Sequence, residues 1–326
     1  METQYRKVMT LEQLADRYVR YRRPSPEMQY QVRLVVRLLR RDVKVTGLDD
    51  LNPDVLLDWR DKVLDRASIS TWNNYRRHLR VLLNHGLAKG DIEVDPLADV
   101  TSVPVAQQRK KTVETGDLEQ AFAFLDRPSV IALPWFWKTV LSVFYTTALR
   151  RKQAIGLRWS DFRVDTRSMP LQGTLRLRAE TSKTRREWEV PLEPEVVQLL
   201  LVLRKKTGEA AGTSYLEGGQ IFNCNLFIRG AEKRDMSRWQ LDRFFKLLTK
   251  NVGVRVSAHR MRHTFATQVA ESAPTNIKVL QQFLGHTDIR TTLAYVHPDI
   301  SQMRTLLTGL HVPTPMLRLS PTLLSR

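Results

Sequence analysis

The sequence predicts a mainly α protein with one small β-hairpin or sheet, built as an all-helical N-terminal domain followed by a mixed α/β domain. Three observations predict it. Four successive stretches of the first hundred residues carry apolar residues at helical spacing, each bounded by capping or turn residues. A segment without apolar period, DVTSVPVAQQRKKTVETGD at 99–117, separates them from the rest. Beyond it, one stretch, TLRLRAETSKTRREWEVPL, alternates apolar with charged residues among further helical patterns.

Thr10-Leu11-Glu12-Gln13 has the form of a capping box, and the LADRYVRYRR after it is a first helix, interrupted at Pro24-Ser25-Pro26. EMQYQVRLVVRLLRRDV is a second, running to a turn at Gly47. Asn52-Pro53 opens a third, DVLLDWRDKVLD, because proline at the first helical position gives up an N–H that would have no helical partner anyway. STWNNYRRHLRVLLNHGLAKG is a fourth, closed near Gly86 or Gly90. The segment after it, with Pro104 and the run Arg109-Lys110-Lys111, reads as an interdomain linker ending in a helix start at Thr115. Helices DLEQAFAFLD and PWFWKTVLSVFYTTAL follow. Leu175, Leu177 and Ala179, then Trp188, Val190 and Leu192, sit at strand period and predict a hairpin with its tip at Thr181 to Arg186. After a leucine-rich helix and the glycine-rich GEAAGTSYLEGG, helices return in SRWQLDRFFKLLTK, AHRMRHTFATQVAES, NIKVLQQFLGH and DIRTTLAYVH. Met303, Leu306, Leu307 and Leu310 predict a short amphipathic helix in the tail, broken by Pro313 and Pro315. The expected organisation is a helical domain at 1–103, a linker at 104–114, a second domain at 115–300 and a tail at 301–326.

Fifty-two Lys plus Arg against 34 Asp plus Glu give a net charge of +18, a field that attracts polyanions and makes nucleic acid the leading partner. Arg33, Arg37, Arg40 and Arg41 share one helical face, and Arg76, Arg77 and Arg80 lie on the fourth helix opposite Leu79 and Leu83. A charged stripe is ordinarily a solvated face, but two arginine stripes with few acids beside them predict phosphate contacts. There is no apolar run of membrane length, no signal-peptide core at the N-terminus and no basic amphipathic terminal helix, so no membrane is expected and the protein should stay in the cytoplasm. The lone Cys224 excludes an internal disulfide and leaves no cysteine-based metal motif.

Four separated segments carry candidate chemistry. TTALRRKQAIGLRW contains Arg150, SKTRREWEVPL contains Lys183, SAHRMRHTFAT places His259 and Arg262 one turn apart, and LGHTDIRTTLAYVH holds His286 and Tyr295. Taken singly each has an ordinary reading. Lys183 is a solvated hairpin lysine, His286 a residue beside a helix C-terminus, and Tyr295 a core aromatic packed beside Ile289 and Leu293. In this order and at these separations they resemble the tyrosine recombinases, the phage-integrase and Xer-like family of site-specific DNA recombinases. The resemblance covers most of residues 110 to 300, and the basic helical bundle before it is similar to that family's core-binding, SAM-like DNA-binding domain.

The resemblance implies that Arg150 and Arg262 are paired catalytic arginines, Lys183 the hairpin lysine, His259 and His286 the active-site histidines, and Tyr295 the nucleophile. It implies a 3′-phosphotyrosyl intermediate, formed without metal, ATP or other cofactor, and four protomers exchanging strands between two double-stranded recombination sites through a Holliday junction. Accessory DNA-bending proteins are a further candidate partner class, and a nucleoid-associated location follows. The chemistry suits these residue types. Two guanidiniums clamp the oxygens of an anionic phosphodiester, His259 takes the phenol proton, Lys183 protonates the leaving 5′ oxygen, and His286 hydrogen-bonds the scissile phosphate. Three positions depart from the pattern: Ala148 where glycine is common, Gln153 where an acid is common, and Arg260 where aspartate often follows the first histidine. Gln153 is the departure that bears on the support of Arg150. His263 and His297 receive no chemistry from this reading. With the bundle starting near residue 10, no separate arm-binding domain is expected before it. A type IB topoisomerase shares the chemistry but rejoins the same strand, and the LGHxxIxTTxxY block favours a recombinase. A non-catalytic DNA-binding regulator would lack a nucleophile or an arginine, and all are present.

Overall fold

The structure is a computed structural model describing residues 9–106, 111–127, 131–182, 185–272 and 276–296. The chain divides into two compact units, residues 1–108 and 109–326.

The first unit is all helical. α1 (Leu11–Arg22) opens on the capping box: the Gln13 backbone N–H donates to Thr10 Oγ1 at 3.2 Å and the Thr10 N–H to Gln13 Oε1 at 2.9 Å. α2 (Pro26–Val43), α3 (Pro53–Leu64) and α4 (Ile69–Ala88) start on Ser25, Asn52 and Ser68, whose side chains each accept a first-turn N–H. Pro24-Ser25-Pro26 is therefore a start signal as well as a break. The apolar faces meet in one core around Leu14, Val36, Trp59, Trp72 and Leu82, with the two tryptophan rings edge-on at 5.3 Å. The chain beyond α4 has no regular structure but is pinned. Asn73 makes two bonds with the Val103 backbone, at 2.8 and 3.0 Å, Arg80 donates to Leu97 O at 2.6 Å, and Leu97 and Val100 close the core.

The second unit begins inside the expected linker. Val113 is buried in its core and donates its N–H to Thr264 Oγ1 at 2.8 Å. α5 (Thr115–Asp126) and α6 (Pro134–Thr147) lead to α7 (Arg151–Gly156). β1 (Phe162–Asp165), β2 (Gln172–Leu177) and β3 (Trp188–Leu192) form an antiparallel sheet in that order, with Phe162 opposite Leu175 and Leu177 opposite Trp188. The expected hairpin is β2 and β3. β1 is an addition to it: at four residues, with only Phe162 buried, its alternation is too short to read. Its entry is fixed by Asp161, 0% exposed, which accepts from Arg178 Nε at 2.8 Å, Arg176 Nη2 at 3.1 Å and the Arg158 N–H at 2.9 Å. α8 (Pro194–Ala211), α9 (Arg238–Val252), α10 (Ala258–Ser272), α11 (Ile277–Leu284) and α12 (Ile289–Leu293) complete the unit. α10 packs on α6 and α11, and a second small cluster of Ala148, Ala266, Ala270, Leu280, Leu284 and Tyr295 lies there. Lys183, His297 and the tail at 301–326 lie outside the described residues.

Candidate active site

The site is assembled by helix ends. α6 stops at Ala148, which takes the left-handed conformation at φ +52° and donates its N–H to Phe144 O, so the chain turns sharply and presents Arg150 as the residue capping α7. A glycine is the usual residue for such a turn, and the departure at Ala148 leaves the turn itself intact. Gln153 Oε1 accepts the Arg150 backbone N–H at 2.8 Å. The amide thus does the backbone part of the support, and adds no charge to oppose the guanidinium. Arg150 Nη1 is buried with no hydrogen-bond partner among the described residues.

α10 supplies the second arginine. His259, Arg262, His263, Ala266 and Ala270 fall at i, i+3, i+4, i+7 and i+11 and form one face of the helix. Arg262 is 4% exposed. Its Nη1 donates to Ala148 O at 2.9 Å, and its Nη2 to Leu284 O at 2.7 Å and to His286 Nε2 at 2.9 Å. Burial, and then the neighbouring Arg150 charge, bring its pKa down to about 9, which leaves it a cation at neutral pH. Arg150 is held below its usual value by burial and is partly restored by Tyr295. A buried guanidinium on Arg262 and a half-buried one on Arg150, neither with a carboxylate salt bridge among the described residues, make a site that favours an anion between them.

His286 is placed by the end of α11. Gly285 is left-handed at φ +62°; its N–H donates to Gln282 O at 2.9 Å and the His286 N–H to Gln281 O at 3.0 Å, the two bonds of a Schellman motif. Because an arginine only donates, His286 Nε2 accepts from Arg262, and Nδ1 carries the proton that goes to Thr292 Oγ1 at 2.9 Å. Burial first, then Arg262 and Arg150, lower the His286 pKa to about 4, so the ring is neutral. Both ring nitrogens are engaged inside the protein, and the expected bond to a phosphate requires Arg262 to release Nε2 and that nitrogen to carry a proton, because a phosphate oxygen only accepts.

Tyr295 sits in the turn after α12 and not on a helix as the sequence suggested, with its N–H bonded to Thr292 O at 3.0 Å. The five-residue α12 ends too early to include it. Ile289 and Leu293, the neighbours the sequence suggests for a core aromatic, are exposed. Tyr295 is 3% exposed among Ala148, Ala266, Ala270, Leu280 and Leu284, where small side chains leave space for an aromatic. Burial raises the phenol pKa, while Arg262 and Arg150 pull it down. The hydroxyl lies 2.7 Å from His263 Nδ1, and His263 Nε2 lies 2.9 Å from His259 Nε2. The ring in contact with the phenol is thus His263, to which the sequence pattern assigned no role, and not His259. Their i, i+4 spacing on the face of Arg262 was the signal available.

Of the six residues expected to react, the structure gathers Arg150, His259, Arg262, His286 and Tyr295; Lys183 is outside the described residues. The helical unit corrects the expectation of few acids beside its arginines. Arg33 pairs with Asp16 at 3.0 Å, Arg40 with Glu12 at 2.5 Å, Arg41 with Asp42 at 2.9 Å and Arg80 with Asp95 at 2.5 Å. Arg76 Nε donates to Val100 O. Asp42 follows Arg41 on α2 itself, while Glu12 and Asp16 come from α1 and Asp95 from the segment after α4, which a single-helix projection does not bring alongside. Arg37 and Arg77 are exposed and have no salt bridge among the described residues.

The model of the family described as phage integrase matches residues 112–302. A Pseudomonas syringae protein named "Putative tyrosine recombinase XerC" is 31% identical over 261 residues, 76% of this chain and 53% of its own length. A Pseudomonas aeruginosa protein of the same name is 29% identical over 285 residues, 83% of this chain and 64% of its own. The chain therefore spans between about half and two thirds of these relatives. Among solved structures, the Tn1549 transposon integrase in complex with a circular intermediate DNA superposes with a TM-score of 0.69 at 21% identity, covering 93% of this chain and 100% of that one. At that identity the likeness is one of fold.

Proposed function

The chain belongs to the phage integrase family of tyrosine recombinases, and from that premise we propose that it is a site-specific DNA recombinase in which Tyr295 is the nucleophile. The observation that carries this reading is the burial of the Tyr295 hydroxyl in the same site as two cationic arginines, Arg150 and Arg262, that no carboxylate among the described residues neutralises. In this reading a DNA phosphodiester is the anion the two arginines hold. The arginines hold its non-bridging oxygens, where charge grows as the phenol oxygen attacks, and they are worth more there than in water because the site is buried. The oxygen–phosphorus bond forms, the bond to the 5′ oxygen breaks, and the leaving oxygen takes its proton from Lys183. Because the phosphotyrosyl ester conserves the energy of the bond, rejoining to a partner strand needs no ATP.

Four protomers on two duplexes, a Holliday junction, the tail at 301–326 docked on a neighbouring protomer, and a cytoplasmic site of action belong to the same proposal, supported by the family and by the net charge of +18. The test is a nicked suicide duplex carrying the recombination site, incubated in EDTA. The wild type gives a protein–DNA adduct, while Tyr295→Phe binds with unchanged affinity and gives none. An adduct with the phenylalanine variant would overturn the assignment. Plasmid relaxation without strand exchange would transfer the protein to topoisomerase chemistry.

A further inference from the structure

We propose that His263 is the proton acceptor of Tyr295 and passes the charge on to His259, a two-histidine relay along one face of α10. The inference rests on the reading of Tyr295 as the nucleophile and adds a residue to it. Its basis is the geometry: the phenol oxygen is 2.7 Å from His263 Nδ1, and the far nitrogen of that ring is 2.9 Å from His259 Nε2. His263 is 7% exposed and Tyr295 3%, so the proton leaves through the protein and not directly into bulk solvent.

The other bases near the phenol are committed. Arg262 is a donor only, and three of its N–H groups go to Ala148 O, Leu284 O and His286 Nε2. His286 stacks near the tyrosine at a ring separation of 6.4 Å, but its one accepting nitrogen is occupied by Arg262. Among the described residues, His263 is the one with a ring nitrogen on the hydroxyl. Neighbour spacing explains why: positions i and i+4 of a helix lie one above the other, so a histidine at each puts the rings in line, here with centroids 4.0 Å apart.

The tautomers follow. With the phenol donating to Nδ1, His263 carries its proton on Nε2 and donates it to His259 Nε2, and His259 carries its own on Nδ1. As the Tyr295 oxygen uses a lone pair to bond phosphorus, its proton moves to His263 Nδ1 and the His263 Nε2 proton moves to His259. His263 ends neutral with its tautomer exchanged, and His259 ends as the imidazolium. The positive charge is thus displaced one residue away from the nucleophile, and the electron pair of the broken phosphorus–oxygen bond stays on the 5′ oxygen until Lys183 protonates it. Rejoining runs the same transfers backward.

The test is single-turnover cleavage of the nicked duplex by full-length protein. His263→Asn keeps an amide oxygen able to accept a hydrogen bond near the Nδ1 position but cannot take the proton. Cleavage is expected to fall on the order of 10²-fold with DNA affinity and melting temperature unchanged. Placing 3,5-difluorotyrosine at position 295, whose phenol ionises more readily, is expected to restore at least about tenfold in the asparagine variant and to change the wild type little. A merely positional role predicts neither the loss nor the selective rescue. Asparagine cleaving at the wild-type rate, or a slow variant that the fluorinated tyrosine does not rescue, would overturn the relay. Should the variant fold poorly, ¹⁵N-histidine spectra of the wild type decide. Nε2–H on His263 with a bare Nδ1 supports it, and a protonated Nδ1 sinks it. A wild type that gave no adduct at all would instead overturn the recombinase reading.

Discussion

At Gly285 one methyl group would collide with the Trp188 ring, whose nearest atoms lie 2.4 Å from where a Cβ would stand, and the backbone there has φ +62°. Trp188 is held in place by its indole N–H, which donates to Phe283 O at 3.0 Å, so it cannot simply move aside. Gly285→Ala should therefore cost about 1–2 kcal/mol for the left-handed backbone and about 1–3 kcal/mol for the overlap. Urea denaturation checks this as a lower midpoint at unchanged slope, and cleavage should suffer more than DNA binding because His286 is the next residue. His286 gives a second residue-scale expectation. The unfolded chain binds a proton at this ring below about pH 6.5, whereas the folded one refuses it until about 4. Its contribution to stability is thus intact above pH 6.5 and is lost as the pH falls toward 4. In full-length protein, His286→Asn should lose less stability than the wild type between those two values. An equal loss in both would contradict the assignment of a neutral ring.

The elements show what the sequence can and cannot disclose. α1 and α3 are legible from the local start signals at Thr10 and Asn52-Pro53, α2 and α4 from apolar spacing without their caps at Ser25 and Ser68, and helical spacing alone puts His259 and Arg262 one turn apart on α10. β1 is not legible, since its place depends on a buried Asp161 receiving two arginines from β2 and the residue after it, a pairing between positions fifteen or more apart. The Tyr295–His263 bond spans 32 positions and was invisible for the same reason. The arginine stripes failed similarly, through acids brought in by α1 and by the chain after α4. Their consequence is testable. Arg80→Glu places like charges together beside Asp95 and should lower the melting temperature of the helical unit by several degrees, at about 4–8 °C per kcal/mol for a unit of this size. Arg37→Glu and Arg77→Glu, free of such pairs, should leave melting unchanged while lowering DNA affinity and reducing the salt slope by about 0.9 for each phosphate no longer neutralised. Melting and salt titration on the same proteins separate the two kinds of arginine.

For the whole molecule, the net charge of +18 is a field that draws polyanions from a distance, and most of it lies in the second unit, which also carries the arginine-lined tyrosine; in the proposed function that field gathers DNA to the buried site. In the proposed recombinase chemistry, the burial of Tyr295 protects the covalent intermediate from water until a partner strand arrives. The measurement closest to the central claim is to digest the trapped adduct from a nicked site with protease and identify the modified peptide by mass spectrometry, together with the end groups of the cut DNA. A nucleotide 3′-phosphate is expected on Tyr295, in the peptide containing TTLAYVH, with a free 5′ hydroxyl on the other fragment. Attachment to any other residue, or a 5′-phosphotyrosyl bond with a free 3′ hydroxyl, would contradict the proposed function.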